Sequence, residues 1–97
     1  MRMMLRFSIP AEKGNQAIKD GSLGRTLDSI LKKFKPEAAY FCPTGGKRGG
    51  MIFFDLAEGT TIVEVVEPLF SNLNAEVELV PVMNSDDLHK GIAKVAS

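Results

Sequence analysis

One cysteine, Cys42, and one histidine, His89, leave the chain little to hold a metal with. Zinc centres draw on three or four Cys, His or carboxylate ligands at recurrent spacing, and no such spacing occurs here. A lone cysteine also excludes an intrachain disulfide, and it fits a reducing compartment. Net charge is missing too: 12 Lys and Arg balance 12 Asp and Glu. That balance removes the main electrostatic drive for nonspecific binding to nucleic acid or to a membrane surface. No apolar run approaches the ~18 residues of a membrane helix. Arg2, Arg6 and Ser8 interrupt the apolar N-terminal stretch, which therefore does not read as a signal segment. The expectation is a cytoplasmic protein with no metal, no cofactor, no nucleic-acid partner and no membrane partner.

What is present suffices for a core. Hydrophobic residues make up 44% of the chain and charged ones 25%, as in ordinary globular proteins. A chain of 97 residues is expected to form a single domain over 1–97. A domain of that size buries roughly two-thirds of its unfolded surface.

The opening segment alternates. Met3, Leu5, Phe7 and Ile9 point one way, while Met4, Arg6 and Ser8 point the other, as in a half-buried strand closed by Pro10. From Ala11 the period lengthens. A short, weaker helical turn is expected over Glu12 to Lys19, then a break near Asp20. Leu23, Leu27, Ile30, Leu31 and Phe34 next form one helical stripe, with Ser22 as N-cap and Pro36 as stop. Ala38 to Cys42 reads as a second strand, Thr44 to Gly50 as a flexible turn, and Met51 to Leu56 as a third strand.

Thr60 to Asn74 begins with β-branched residues, yet Ile62, Val65, Val66, Leu69, Phe70 and Leu73 recur at helical spacing. The period predicts a helix opened by a Thr61–Glu64 capping box and kinked or split at Pro68. Glu76 to Met83 is a fourth strand, which Pro81 pushes towards an edge. Ser85 is the expected cap of a last helix carrying Leu88, Ile92 and Val95 on one side.

This order predicts an α+β fold: a ferredoxin-like β-α-β-β-α-β antiparallel sheet with helices on one face, plus a C-terminal helix. The other sheet face is then bare. Strand parity puts Met4, Arg6, Tyr40, Cys42, Met51, Phe53, Asp55, Glu78, Val80 and Val82 on it. A monomer rarely exposes so large an apolar patch, so a homodimer through the open sheet face is expected. The competing reading is that one or two strands have the opposite parity and the face is more polar.

The element order resembles a known group. So do Ser8-Ile9-Pro10-Ala11-Glu12, Glu67-Pro68-Leu69-Phe70, Pro81-Val82-Met83 and Asp87-Leu88. The chain is similar, over nearly its whole length, to small uncharacterised bacterial proteins of the dimeric α+β barrel superfamily. That superfamily includes muconolactone isomerases, cofactor-free quinone-forming monooxygenases and haem-degrading enzymes, so the resemblance implies a dimeric barrel without selecting a reaction.

Candidate site residues lie on the bare face. Arg6 could hold a carboxylate or enolate ligand with its fork, or make a register-fixing ion pair with Asp55 or Glu78. Tyr40 could donate to a ligand or simply fill the interface, and Phe53 and Asp55 complete the ligand-binding set. Cys42 reads as a small buried residue before a nucleophile, and His89 as a surface histidine before a haem ligand. The Gly-rich Thr44–Gly50 segment joins two strands, so it lacks the helix that a phosphate-binding loop leads into. Asp86 and Asp87 splay apart on a helix and suit its N-terminal dipole. The catalytic residues are unknown. The expected function is a homodimeric binding or structural module; the alternative is a cofactor-free enzyme or binding protein for a small anionic or aromatic ligand held between two sheets.

Overall fold

Alternation in the first segment produces one of the two central strands. The computed structural model describes residues 1–96; Ser97, the last residue of the expected domain, lies outside the described residues. The elements are β1 (Arg2–Ile9), α1 (Ala11–Asp20), α2 (Ser22–Phe34), β2 (Ala38–Thr44), β3 (Lys47–Asp55), α3 (Thr61–Leu73), β4 (Glu76–Pro81) and α4 (Ser85–Ala96). The fold is α+β, with one open four-stranded antiparallel sheet in the order β2-β3-β1-β4. Pro43 and Pro81 both fall on outer strands, where a missing backbone donor need not break a ladder on both sides.

Met3, Leu5, Phe7 and Ile9 of β1 are buried with Ile52 and Phe54 of β3. Ala17 of α1, Ile30 of α2, and Val65, Leu69 and Leu73 of α3 close over them. The core therefore lies between one sheet face and α1–α3. Phe34 of α2 reaches Phe54 with ring centroids 6.0 Å apart.

The chain runs β-α-α-β-β-α-β-α, because the first crossover holds two helices. α1 is a full ten-residue helix rather than a weak turn. Gly21 separates it from α2 in the left-handed conformation (φ 81°), which a residue without Cβ adopts freely. The expected Ser22 cap is replaced: Ser22 is the first residue of α2, and its amide donates to Asp20 Oδ1 at 2.8 Å. The Ser22 hydroxyl and then its amide hold the Asp20 carboxyl below the usual carboxylate range.

Period prevails over β propensity in α3. The helix runs through Pro68 as one element, so the expected split does not occur. The Thr61–Glu64 capping box does not form either; Thr60 is the N-cap with no side-chain bond, and Glu64 instead pairs with Lys33 of α2 at 2.9 Å. Asn72 donates to Thr26 at 3.2 Å, a second tie between α2 and α3.

The Gly-rich segment departs furthest from expectation. It is strand almost throughout: β2 continues to Thr44, β3 begins at Lys47, and only Gly45 and Gly46 turn, both with positive φ. Two positive-φ residues make the tight hairpin turn whose twist matches its strands. Gly50 lies between Phe7 and Phe41 in register, where an added Cβ would stand 2.5 Å from the Tyr40 carbonyl oxygen. Its bare backbone lets the Phe7 and Phe41 rings meet edge to face, 6.3 Å apart.

At α4 the cap is Asn84 rather than Ser85. The Asp87 amide donates to Asn84 Oδ1 at 2.8 Å, and the Asn84 amide donates back to Asp87 Oδ2 at 3.2 Å. None of the residues of α4 is buried.

Candidate functional site

The open face is built by parity, and its residues form cross-strand rows. One row reads Val80, Met4, Phe53, Ala38; the next reads Glu78, Arg6, Met51, Tyr40. Met4, Met51 and Phe53 are half-buried by their neighbours, whereas Tyr40 is 63% exposed. Cys42, expected to be buried, is exposed, because β2 is an outer strand with nothing over this face.

Of the four predicted site residues, the sheet brings three together. Arg6 and Tyr40 share a row through Met51, and Phe53 belongs to the next row. Asp55 stands apart: it is opposite Arg2, at the far end of β1, and accepts from the Met1 amino group at 2.9 Å. The expected Arg6–Asp55 pair is therefore absent. Glu78 is directly opposite Arg6 and Glu76 is opposite Ser8, yet neither pairs with Arg6 among the described residues. The hollow beside Arg6 is small, about 160 Å³, and both glutamates line it.

Arg2 escaped the sequence reading although it shares the parity of Arg6. Its Nε donates to Glu37 Oε1 and its Nη1 to Asp87 Oδ2 at 3.4 Å, so it ties β1 to the start of β2 and to α4. The hydrogen bond from Arg2 to Glu37, more than the charge, raises the guanidinium pKa further. Counting back two residues from Met4 would have found it.

A second concavity, also unforeseen, opens on the helix side. It has a volume of about 550 Å³ between α1, α2 and the β2–β3 hairpin. Phe7, Ile18, Leu23, Leu27 and Phe41 supply its apolar wall, with Lys47 and Arg48 beside them. Ile18 and Phe41 are about half exposed, and both face this groove. Arg48 crosses from β3 to α1, where its Nη1 donates to the Ala11 carbonyl at 3.4 Å. No acidic residue lines the groove among the described residues, and neither Lys47 nor Arg48 has a carboxylate partner there. The extended hairpin makes this wall, so reading Thr44–Gly50 as a loop concealed it.

His89 lies exposed on α4, away from both concavities. Among the described residues no three His, Cys, Asp or Glu side chains gather in a way that could hold a metal. None of the described helices is long and apolar enough to cross a membrane.

No family model matches the chain, and no curated protein matches it. Among solved structures, the chain is similar to the de novo designed protein Ferredog-Diesel at 13% identity, over 82% of each chain, with a TM-score of 0.43.

Proposed function

We propose that this protein is a homodimeric binding module of the ferredoxin-like, dimeric α+β barrel type, in which two copies pack open face to open face. The carrying observation is the row of Val80, Met4 and Phe53, which no element of the chain covers among the described residues. Apolar burial at ~25 cal/mol per Å² favours a second copy of the same surface as its cover. The central antiparallel pair β1–β3, flanked by β4 and β2, supports the ferredoxin-like assignment. Sedimentation equilibrium across a micromolar series tests the proposal. Twice the chain mass supports it; the single-chain mass at every concentration rejects it.

A second reading, a carrier or enzyme for a small molecule, is favoured by the helix-side groove. Its volume falls within the ~300–1,000 Å³ of ligand sites, and its apolar wall ends at two cations with no acid to neutralise them. That chemistry suits a small aromatic or aliphatic carboxylate. Arg6 remains the other candidate anchor, but Glu76 and Glu78 beside it oppose an anion.

A further inference from the structure

The helix α4 is amphipathic, and its apolar side is uncovered among the described residues. Leu88, Ile92 and Val95 fall on one side and are 46%, 54% and 87% exposed. With Met83 they line a shallow apolar trough of about 440 Å³ that belongs to α4 and its approach alone. An isolated helix of this length is marginal in water, since helices shorter than ~12–15 residues owe their stability to packing.

The molecule's proportions are more extended than those of a compact body. It measures 56 × 27 × 17 Å, with a radius of gyration of 15.4 Å. A compact chain of this size has a radius nearer ~12.5 Å. Twelve helical residues span ~18 Å, so a projecting helix of that length is long enough to account for the excess. The first turn of the helix is tied to the body of the molecule. Its Asn84–Asp87 cap is fixed, and Asp87 accepts from Arg2, whose side chain has the parity of the open face. The first turn of α4 is thus tied to a residue at the end of the open sheet face.

We infer that α4 is an arm that packs on the second copy, extending the sheet-to-sheet contact; this rests on the homodimer proposed above. Area identifies the occupant. Four strands ~4.8 Å apart and ~24 Å long give a sheet footprint of ~450 Å². A stable interface takes ~800 Å² from each partner. One helix face adds ~180 Å². In a two-fold dimer each copy both gives an arm and receives one, which brings the contact close to the standard size. Folding back on its own sheet would instead use up the face that dimerises.

Hydrogen exchange and sedimentation on the full chain test this together, using native protein, Leu88→Glu/Ile92→Glu and Phe53→Asp. The arm predicts α4 amides protected in the native dimer and exchanging at least tenfold faster in the Phe53→Asp monomer. It also predicts a dimer dissociation constant raised at least tenfold in Leu88→Glu/Ile92→Glu, with unchanged protection in β1 and β3. Protection of α4 that persists in the Phe53→Asp monomer means the helix covers its own sheet and overturns the inference. A dissociation constant unmoved by the α4 double variant, with Phe53→Asp monomeric, overturns the arm and leaves the dimer standing. A native protein that is monomeric throughout removes the dimer itself and the arm with it.

Discussion

Phe53 and Phe54 are adjacent in β3 and belong to opposite sides of the sheet. Phe54 is 1% exposed, packed at 6.0 Å from Phe34, whereas Phe53 faces outward next to Met4. Removing the inner ring leaves a cavity that the core can only partly close. Phe54→Ala should therefore lower unfolding free energy by ~3–5 kcal/mol, measured by urea denaturation with intrinsic tyrosine or circular-dichroism signal. A loss under ~1 kcal/mol would mean that the face assignment of β3 is inverted.

Glycine means different things at two positions. At Gly50 a Cβ would meet the Tyr40 carbonyl oxygen at 2.5 Å and the Phe41 Cα at 3.1 Å, both backbone atoms that cannot swing aside. At Gly24, inside α2, nothing lies within 4 Å of the added carbon. Gly50→Ala should destabilise by ~1–3 kcal/mol through overpacking, while Gly24→Ala should stabilise by ~0.5–1 kcal/mol. Thermal melts of the two variants should shift in opposite directions.

Much of the architecture was readable because side-chain period reports directly on burial. Alternation in Met3–Ile9 survives in the burial; the 3.6-residue recurrence from Ile62 to Leu73 survives as a helix against local β propensity, with Val65, Leu69 and Leu73 buried but Ile62 and Phe70 exposed. Pro81 marked its strand as an outer one, whereas Pro43, expected to bound the second strand, lies inside β2. Residues without side-chain pattern were the blind spot. Gly49 and Gly50 have no face to declare, so a two-residue hairpin turn looked like a longer flexible one, and the groove behind Phe41 went unseen with it. Helix caps slipped by one residue, from Ser22 to Gly21, with Asp20 accepting from the Ser22 amide, and from Ser85 to Asn84. Arg2 shares the outward parity of Met4 and Arg6, but its partners Glu37 and Asp87 lie outside the strands, where alternation does not reach.

The junction between α1 and α2 should be acid-sensitive. Asp20 has its folded pKa lowered by the Ser22 hydroxyl and amide, so its contribution is complete above the ordinary value of 3.8 and is lost as pH falls through the depressed one. Asp20→Ala should be less stable than the native protein at pH 6. The gap between them should close on acidification below the ordinary carboxylate value. A gap that widens as pH falls would contradict the assignment.

The groove and the Arg6 row can be separated as ligand sites. A thermal-shift screen of small aromatic and aliphatic carboxylates should find compounds that stabilise native protein and Arg6→Met alike. The same compounds should stabilise Arg48→Gln less, by about tenfold in apparent affinity, because a charge-assisted bond is removed from an acid-free wall. Loss of the effect in Arg6→Met alone would place the ligand on the open face.

Whether the open sheet face joins two copies is tested most directly by Phe53→Asp. A carboxylate there should be tolerated by a lone chain, since Phe53 is outside the core, but not by an apolar contact between two sheets. Sedimentation equilibrium with circular dichroism on native and variant protein reads both properties at once. The predicted result is a native dimer and a Phe53→Asp monomer that keeps its secondary structure and cooperative melt. A Phe53→Asp protein that stays dimeric with the native dissociation constant would contradict it.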